Sequence, residues 1–201
     1  GDGKTYSAAT YTMTIRVNPV NDAPVSAPNT VAMDEDGVRV FSADDFAFTD
    51  PDAGDTLTKV TITSLTIDSG HLFMDDSSAD GLYNDGESVT VDQKIYLADI
   101  ASLKFAPVEN EHGAEYASFR FKVWDGTAYS ADDYKLTIDV NPVNDLPTST
   151  GNTVTVDEDV DRTFSASDFA FTDIDGDAMS GVKITALNSA GTLFLDTSSD
   201  N

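Results

Sequence analysis

Of 201 residues, 36 are Asp or Glu and 11 are Lys or Arg, a formal net charge of −25. That balance argues against nucleic acid and against membrane insertion or an anionic membrane surface, since such partners are met by Lys, Arg and long apolar runs. It suits hard cations held through oxygen, or a heavily solvated acidic surface, while the absence of cysteine removes disulfides and thiol chemistry.

The chain begins with an arm in which Tyr11, Met13, Ile15 and Val17 alternate with Thr12, Thr14 and Arg16. Period two predicts a half-buried strand. The same arm returns as Tyr134, Leu136, Ile138 and Val140 against Lys135, Thr137 and Asp139, and Asp2-Gly3 precedes the first arm as Asp125-Gly126 precedes the second. Each arm runs into a proline-rich segment. Val17-Asn18-Pro19-Val20-Asn21-Asp22-Ala23-Pro24 is matched 123 residues later by Val140-Asn141-Pro142-Val143-Asn144-Asp145-Leu146-Pro147. Two prolines fix φ and favour extended neighbours, so each segment is a semi-rigid connector between copies of one unit. The Asn-Asp pair inside it is either an Asx turn or a pair of oxygen donors; both readings stand at this point.

The repeat divides the chain into 1–20, the last strand of a preceding unit, 21–143, a complete unit, and 144–201, the start of the next. The chain is therefore expected to be an excerpt of a longer protein. After the first connector come Asp34-Glu35-Asp36 and Phe41-Ser42-Ala43-Asp44-Asp45-Phe46-Ala47-Phe48-Thr49-Asp50-Pro51-Asp52. They recur as Asp157-Glu158-Asp159 and Phe164 through Asp173-Ile174-Asp175-Gly176-Asp177. Phe46 and Phe48 are expected on one buried strand face, and Ser42 with Asp45 at the start of a short helical turn. Strands are predicted at Val60–Ile62 and Leu72–Met74, recurring at Val182–Ile184 and Leu193–Leu195 with offsets of 122 and 121, so the length changes fall in loops. The complete unit adds strands at 88–91, 95–97, 103–105 and 119–124. With no amphipathic helix, the expected architecture is an all-β tandem of sandwiches.

The spacing of Asp50 and Asp52 lets one turn aim both carboxylates at one ion, as oxygen-rich calcium loops require. Recurrence as Asp173 and Asp175, with Asp177, favours metal over a plain turn. The order Glu35, Asp50-x-Asp52, Asp125-Gly126 and Asn144-Asp145-x-Pro resembles the cadherin repeat, and more closely the cadherin-like tandem repeats of large bacterial surface adhesins. The resemblance implies immunoglobulin-like β-sandwiches with Ca2+ at the joints between neighbouring repeats, on an extracellular, surface-anchored or secreted chain. It implies that Asn21, Asp22, Asp50, Asp52 and Asp125 serve the first joint, and Glu35, Asn144, Asp145, Asp173 and Asp175 the second. The Leu-Asp-Arg-Glu motif of cadherins is missing; Glu109-x-Glu111 stands where it would substitute. Contacts with surface glycans or proteins are expected through other domains.

Other patterns carry less. Asp76-x-Ser78-x-Asp80-Gly81 with Glu87 has the spacing of an EF-hand loop without flanking helices, and the second copy has Thr197 in place of Asp76. His71 and His112 assemble no triad or zinc set, and no phosphate loop is present, so the chain is not read as an enzyme. Trp124 is expected to pack beside a strand end. The alternative class is a carbohydrate-binding module attached to a polysaccharide-degrading enzyme, which an exposed row of aromatics on a sheet face would favour; the aromatics are expected mostly on core phases.

Overall fold

The structure is a computed structural model that describes residues 3, 6, 8–75, 80–187 and 191–195. Asp76 and Ser78 of the EF-hand-like loop, Asp2 and Thr197 lie outside the described residues. The chain divides into two compact units, Gly1–Val143 and Asn144–Asn201, and its regular structure is mostly strand, concentrated in the first unit.

In the first unit alternation selects the buried face of each strand. Strands are numbered in chain order: β1 (Asn29–Asp34), β2 (Arg39–Val40), β3 (Lys59–Thr66), β4 (His71–Met74), β5 (Lys94–Tyr96), β6 (Leu103–Ala106), β7 (Gly113–Trp124) and β8 (Tyr134–Asn141). β3 buries Val60 and Ile62, β7 buries Phe119, Phe121 and Val123, and β8 buries Leu136, Ile138 and Val140. The residues between them face outward, as a two-residue period requires. One sheet has the order β1-β8-β7-β3-β5 and the other β2-β6-β4. Neighbours are antiparallel except β1 and β8, which run parallel over six residue pairs from Asn29–Leu136 to Asp34–Asn141. Leu72, Leu103 and Phe105 of the smaller sheet join the larger sheet's apolar face in one core. At its centre Phe41, Phe46, Phe119 and Phe121 make tilted or edge-on ring contacts with centroids 5.0–6.4 Å apart.

Phe46 reaches that cluster from a 3-10 turn, Ala43–Phe46, not from a strand. The Ser42 N–H donates to the Asp45 carboxylate at 2.8 Å, and Arg39 clamps the same carboxylate at 2.7 Å. This local bonding competes with a ladder and wins. Phe48 beyond it is only partly buried against the core. The segment 88–91 likewise makes no strand: Ser88 forms a single bridge to Phe73, and Val89 is buried with its N–H on the Leu72 carbonyl.

The second unit repeats this local chemistry at the same 123-residue offset. A 3-10 turn, Ala166–Phe169, follows Ser165, whose N–H donates to Asp168 at 2.8 Å, and Arg162 pairs with Asp168 at 3.0 Å. Asn29 donates to the Asp45 carbonyl and Asn152 to the Asp168 carbonyl, both at 3.0 Å. Asp36 and Asp159 share left-handed backbones, φ 61° and 60°. Here β9 (Thr148–Ser149) pairs antiparallel with β10 (Phe171–Thr172).

Besides 88–91, three further predicted strands do not form among the described residues. Residues 8–23 carry none, and Tyr11, Met13, Ile15 and Val17 stand in solvent. Val182–Ile184 and Leu193–Leu195 are also exposed and unpaired as strands. The reason is common to all three. A period-two segment becomes a strand only when a neighbour accepts its backbone. In the first unit β3 has β5 and β7, and β4 has β6; the described part of the second unit has no counterpart of those partners.

Candidate metal centre

Short backbone bonds to carboxylates build the acidic end of the first unit. The Val25 N–H donates to the Thr49 carbonyl at 2.8 Å and the Thr49 N–H returns to Val25 at 3.0 Å, which lays the 21–24 segment against the 50–52 loop. Asp50 Oδ1 then accepts the Asp52 N–H at 2.8 Å, an Asx turn across Pro51. Asp52 Oδ2 accepts the Asp22 N–H at 2.6 Å, and the Asn21 amide donates to Asp125 Oδ2 at 3.1 Å. The Thr58 N–H on the Trp124 carbonyl (2.8 Å) brings the following loop, with Asp55, alongside Asp125. The five residues assigned to the first joint thus converge at one end of the unit.

Asp55 completes the cluster. One carboxylate oxygen from each of Asp50, Asp55 and Asp125 lies within 4.8 Å of the other two. The second oxygen of Asp50 is buried and has no hydrogen-bond partner among the described residues. Three anions at that range are unfavourable without a counter-charge. Withdrawal from water, then the charges of Asp50, Asp52 and Asp125, push the Asp55 carboxyl above its ordinary value. Asp125 goes the other way. Partial burial raises it, but the N–H groups of Ala128 and Thr127 and the Asn21 amide outweigh that and hold it low. Asp55 was absent from the expected set because it sits five residues after Asp50, whereas its counterpart Asp177 sits four after Asp173. Aligning the loops across that one-residue difference exposes the pair.

The second unit shows the same scaffold. Asp175 Oδ2 accepts the Asp145 N–H at 2.7 Å, as Asp52 accepts Asp22. Asp173 Oδ1 accepts the N–H groups of Asp175 (3.0 Å) and Asp177 (3.2 Å), and the Asn144 side chain donates to the Asp145 carbonyl at 2.7 Å.

Glu35, Glu109 and Glu111 lie elsewhere in the first unit, near the end of β8. Glu35 is buried. Its Oε1 accepts the Val143 N–H at 2.7 Å, and its Oε2 is 2.9 Å from His112 Nδ1. The Asn110 N–H donates to Asp36 at 3.0 Å, so the 107–112 loop packs on the Glu35 turn. Glu111 accepts from Ser69 and Tyr116, and Glu109 is exposed. The Val143 N–H, then His112, hold the Glu35 carboxyl below its ordinary 4.5. A carboxylate depressed in the folded state adds stability that is present above its unfolded value and is lost as pH falls through the folded value. Denaturation of wild type and Glu35→Gln is therefore expected to diverge at neutral pH and converge well below pH 4.5, where both side chains are neutral.

Of the EF-hand-like residues described, Asp80 accepts the Leu82 N–H and Glu87 the Asn84 N–H, the bonds of a hairpin loop. His71 stacks on Tyr83 at 4.0 Å between centroids. Among the described residues no helix is long and apolar enough to cross a membrane. Comparison with family models, curated proteins and solved structures gives no match for this chain.

Proposed function

We propose that the chain is a segment of consecutive immunoglobulin-like β-sandwich repeats whose joints are stiffened by Ca2+, in an extracellular adhesin of a bacterial surface. The convergence of Asp50, Asp55 and Asp125, together with the buried and unpartnered second oxygen of Asp50, carries this reading. All the donors are oxygens, anionic or amide carbonyl, the chemistry of a hard cation with flexible coordination. Mg2+ prefers a stricter octahedron and retains its waters; three carboxylates on turns suit the more tolerant ion. When bound, the ion neutralises the cluster and ties the Asn21-Asp22 connector to the 50–55 and 125–128 loops, so the connector no longer swings. The repeat of the same scaffold at Asp145, Asp173 and Asp175 supports one such device per joint.

The sole tryptophan, Trp124, directly precedes Asp125 and reports on the site. Calcium titration followed by its fluorescence is expected to give a saturable transition at about 10⁻⁴–10⁻³ M, the range of extracellular modules. At roughly 10–100 times the dissociation constant, each site stabilises its bound arrangement by about 1.4–2.7 kcal/mol. Asp50→Ala with Asp125→Ala should abolish both the transition and the rise in melting temperature, and sodium at matched ionic strength should reproduce neither. Because burial and the neighbouring carboxylates raise the Asp55 carboxyl above its ordinary value, calcium must compete with its proton sooner than at a free aspartate, and the affinity is expected to fall as the solution is acidified. A response to sodium equal to that of calcium, or one untouched by the double substitution, overturns the reading.

A further inference from the structure

We propose that the outer face of the β1-β8-β7-β3-β5 sheet binds an acidic polysaccharide of the uronate class, held by Lys59, Lys94 and Lys122 beside Tyr96, Trp124 and Tyr129. Strand pairing sets Tyr96 opposite Lys59, Lys59 opposite Trp124, and Trp124 opposite Tyr129, so these four residues form one row across the sheet. The adjoining row on the same face is Lys94, Thr61 and Lys122. Strands lie about 4.8 Å apart, so the aromatic row spans roughly 14 Å, the footprint of an extended chain, not of a single small ion. The Lys59 ammonium lies 4.5 Å from the Trp124 ring centroid, 5.3 Å from Tyr129 and 5.8 Å from Tyr96.

The charge distribution is what selects an anion. Five of the chain's eleven Lys and Arg, namely Lys59, Lys94, Arg120, Lys122 and Lys135, stand on this face. Arg120 pairs with Asp133 and Lys135 with Glu115. Lys59, Lys94 and Lys122 pair with no carboxylate among the described residues, although the chain holds 36. A triangle of unneutralised ammonium groups bordered by rings matches a sugar that offers a carboxylate on its edge and C–H bonds on its face. The overall charge of −25 chooses among polyanions. Duplex DNA carries about one charge per 1.7 Å and is repelled strongly, whereas a uronate chain carries one charge per sugar. The face adjoins the Asp50–Asp55–Asp125 cluster through Trp124, but none of its lysines belongs to that cluster, so it is tested with the divalent cation removed.

Affinity electrophoresis or calorimetry of the whole chain with polygalacturonate, in chelator and low salt, tests it without cation bridging. Saturable binding that neutral dextran does not give, and that weakens as salt rises, is the expected result. Lys94→Glu alone should weaken it about tenfold or more, the loss one charge-assisted contact carries, and Tyr96→Ala should weaken it several-fold; both side chains are exposed, so folding is unaffected. No binding by the wild type, or binding indifferent to Lys94→Glu, overturns the proposal. It is equally overturned if single-stranded DNA binds as tightly, or if sedimentation shows the same lysines driving self-association instead.

Discussion

Phe121→Ala is expected to lower the unfolding free energy by about 3–5 kcal/mol, the cost of truncating a fully enclosed aromatic, and urea denaturation of the two proteins will measure it. Phe121 has no solvent exposure, and its ring meets Phe46 edge-on at 5.0 Å and 88°. It lies 6.4 Å from Phe119 and 6.2 Å from Tyr134. No smaller side chain refills that volume, because the neighbours belong to strands fixed by their own ladders. The loss reaches further than stability. Phe46 ends the turn that leads through Thr49 to Asp50, so a loosened Phe46 slackens the acidic loop as well. Calcium affinity should therefore fall in Phe121→Ala although no ligand is touched. A change under about 1 kcal/mol, smaller than a typical core deletion, would refute the packing argument.

Lys104→Met is expected to cost about 3 kcal/mol, because it leaves a buried carboxylate without its counter-charge. Asp75 is buried, with a side chain only 2% exposed, and its Oδ2 is held by Lys104 and by the Gly81 N–H at 3.0 Å. Its Oδ1 is buried with no hydrogen-bond partner among the described residues. Removing the ammonium thus removes most of what offsets the desolvation of this carboxylate. Adding Asp75→Asn to Lys104→Met should restore much of the loss, since a neutral amide needs no counter-ion. Equal stability of the single and double variants would show that the pair contributes nothing as a pair.

The turns that carry the acidic residues were legible because their chemistry is local. Asp-x-Asp, Asn-Asp and Asp-Gly each satisfy backbone groups within a few residues, and their recurrence at 123 residues marks them as parts of one repeated pattern. The turn after Ser42 was legible for the same reason, through Asp45. What sequence could not supply was partnership between strands. Tyr11 to Val17 alternate as well as Tyr134 to Val140 do, yet only the second arm has β1 and β7 beside it. Alternation likewise says that Tyr96 and Trp124 point away from Ile95 and Val123, but the register that places Lys59 between them comes from pairing 35 or more residues away in the chain. Expecting the aromatics mostly on core phases overlooked that outer row.

The parallel pairing of β1 with β8 has a mechanical consequence. The first strand of the unit enters at one end and the last leaves at the other, so a pull on the two connectors drags these neighbours past each other lengthwise. Six residue pairs then resist together in shear, where an antiparallel terminal pair would peel open one rung at a time. Tension along the chain is borne by the ladder as a whole, and the unit yields only when its full set of rungs gives way at once.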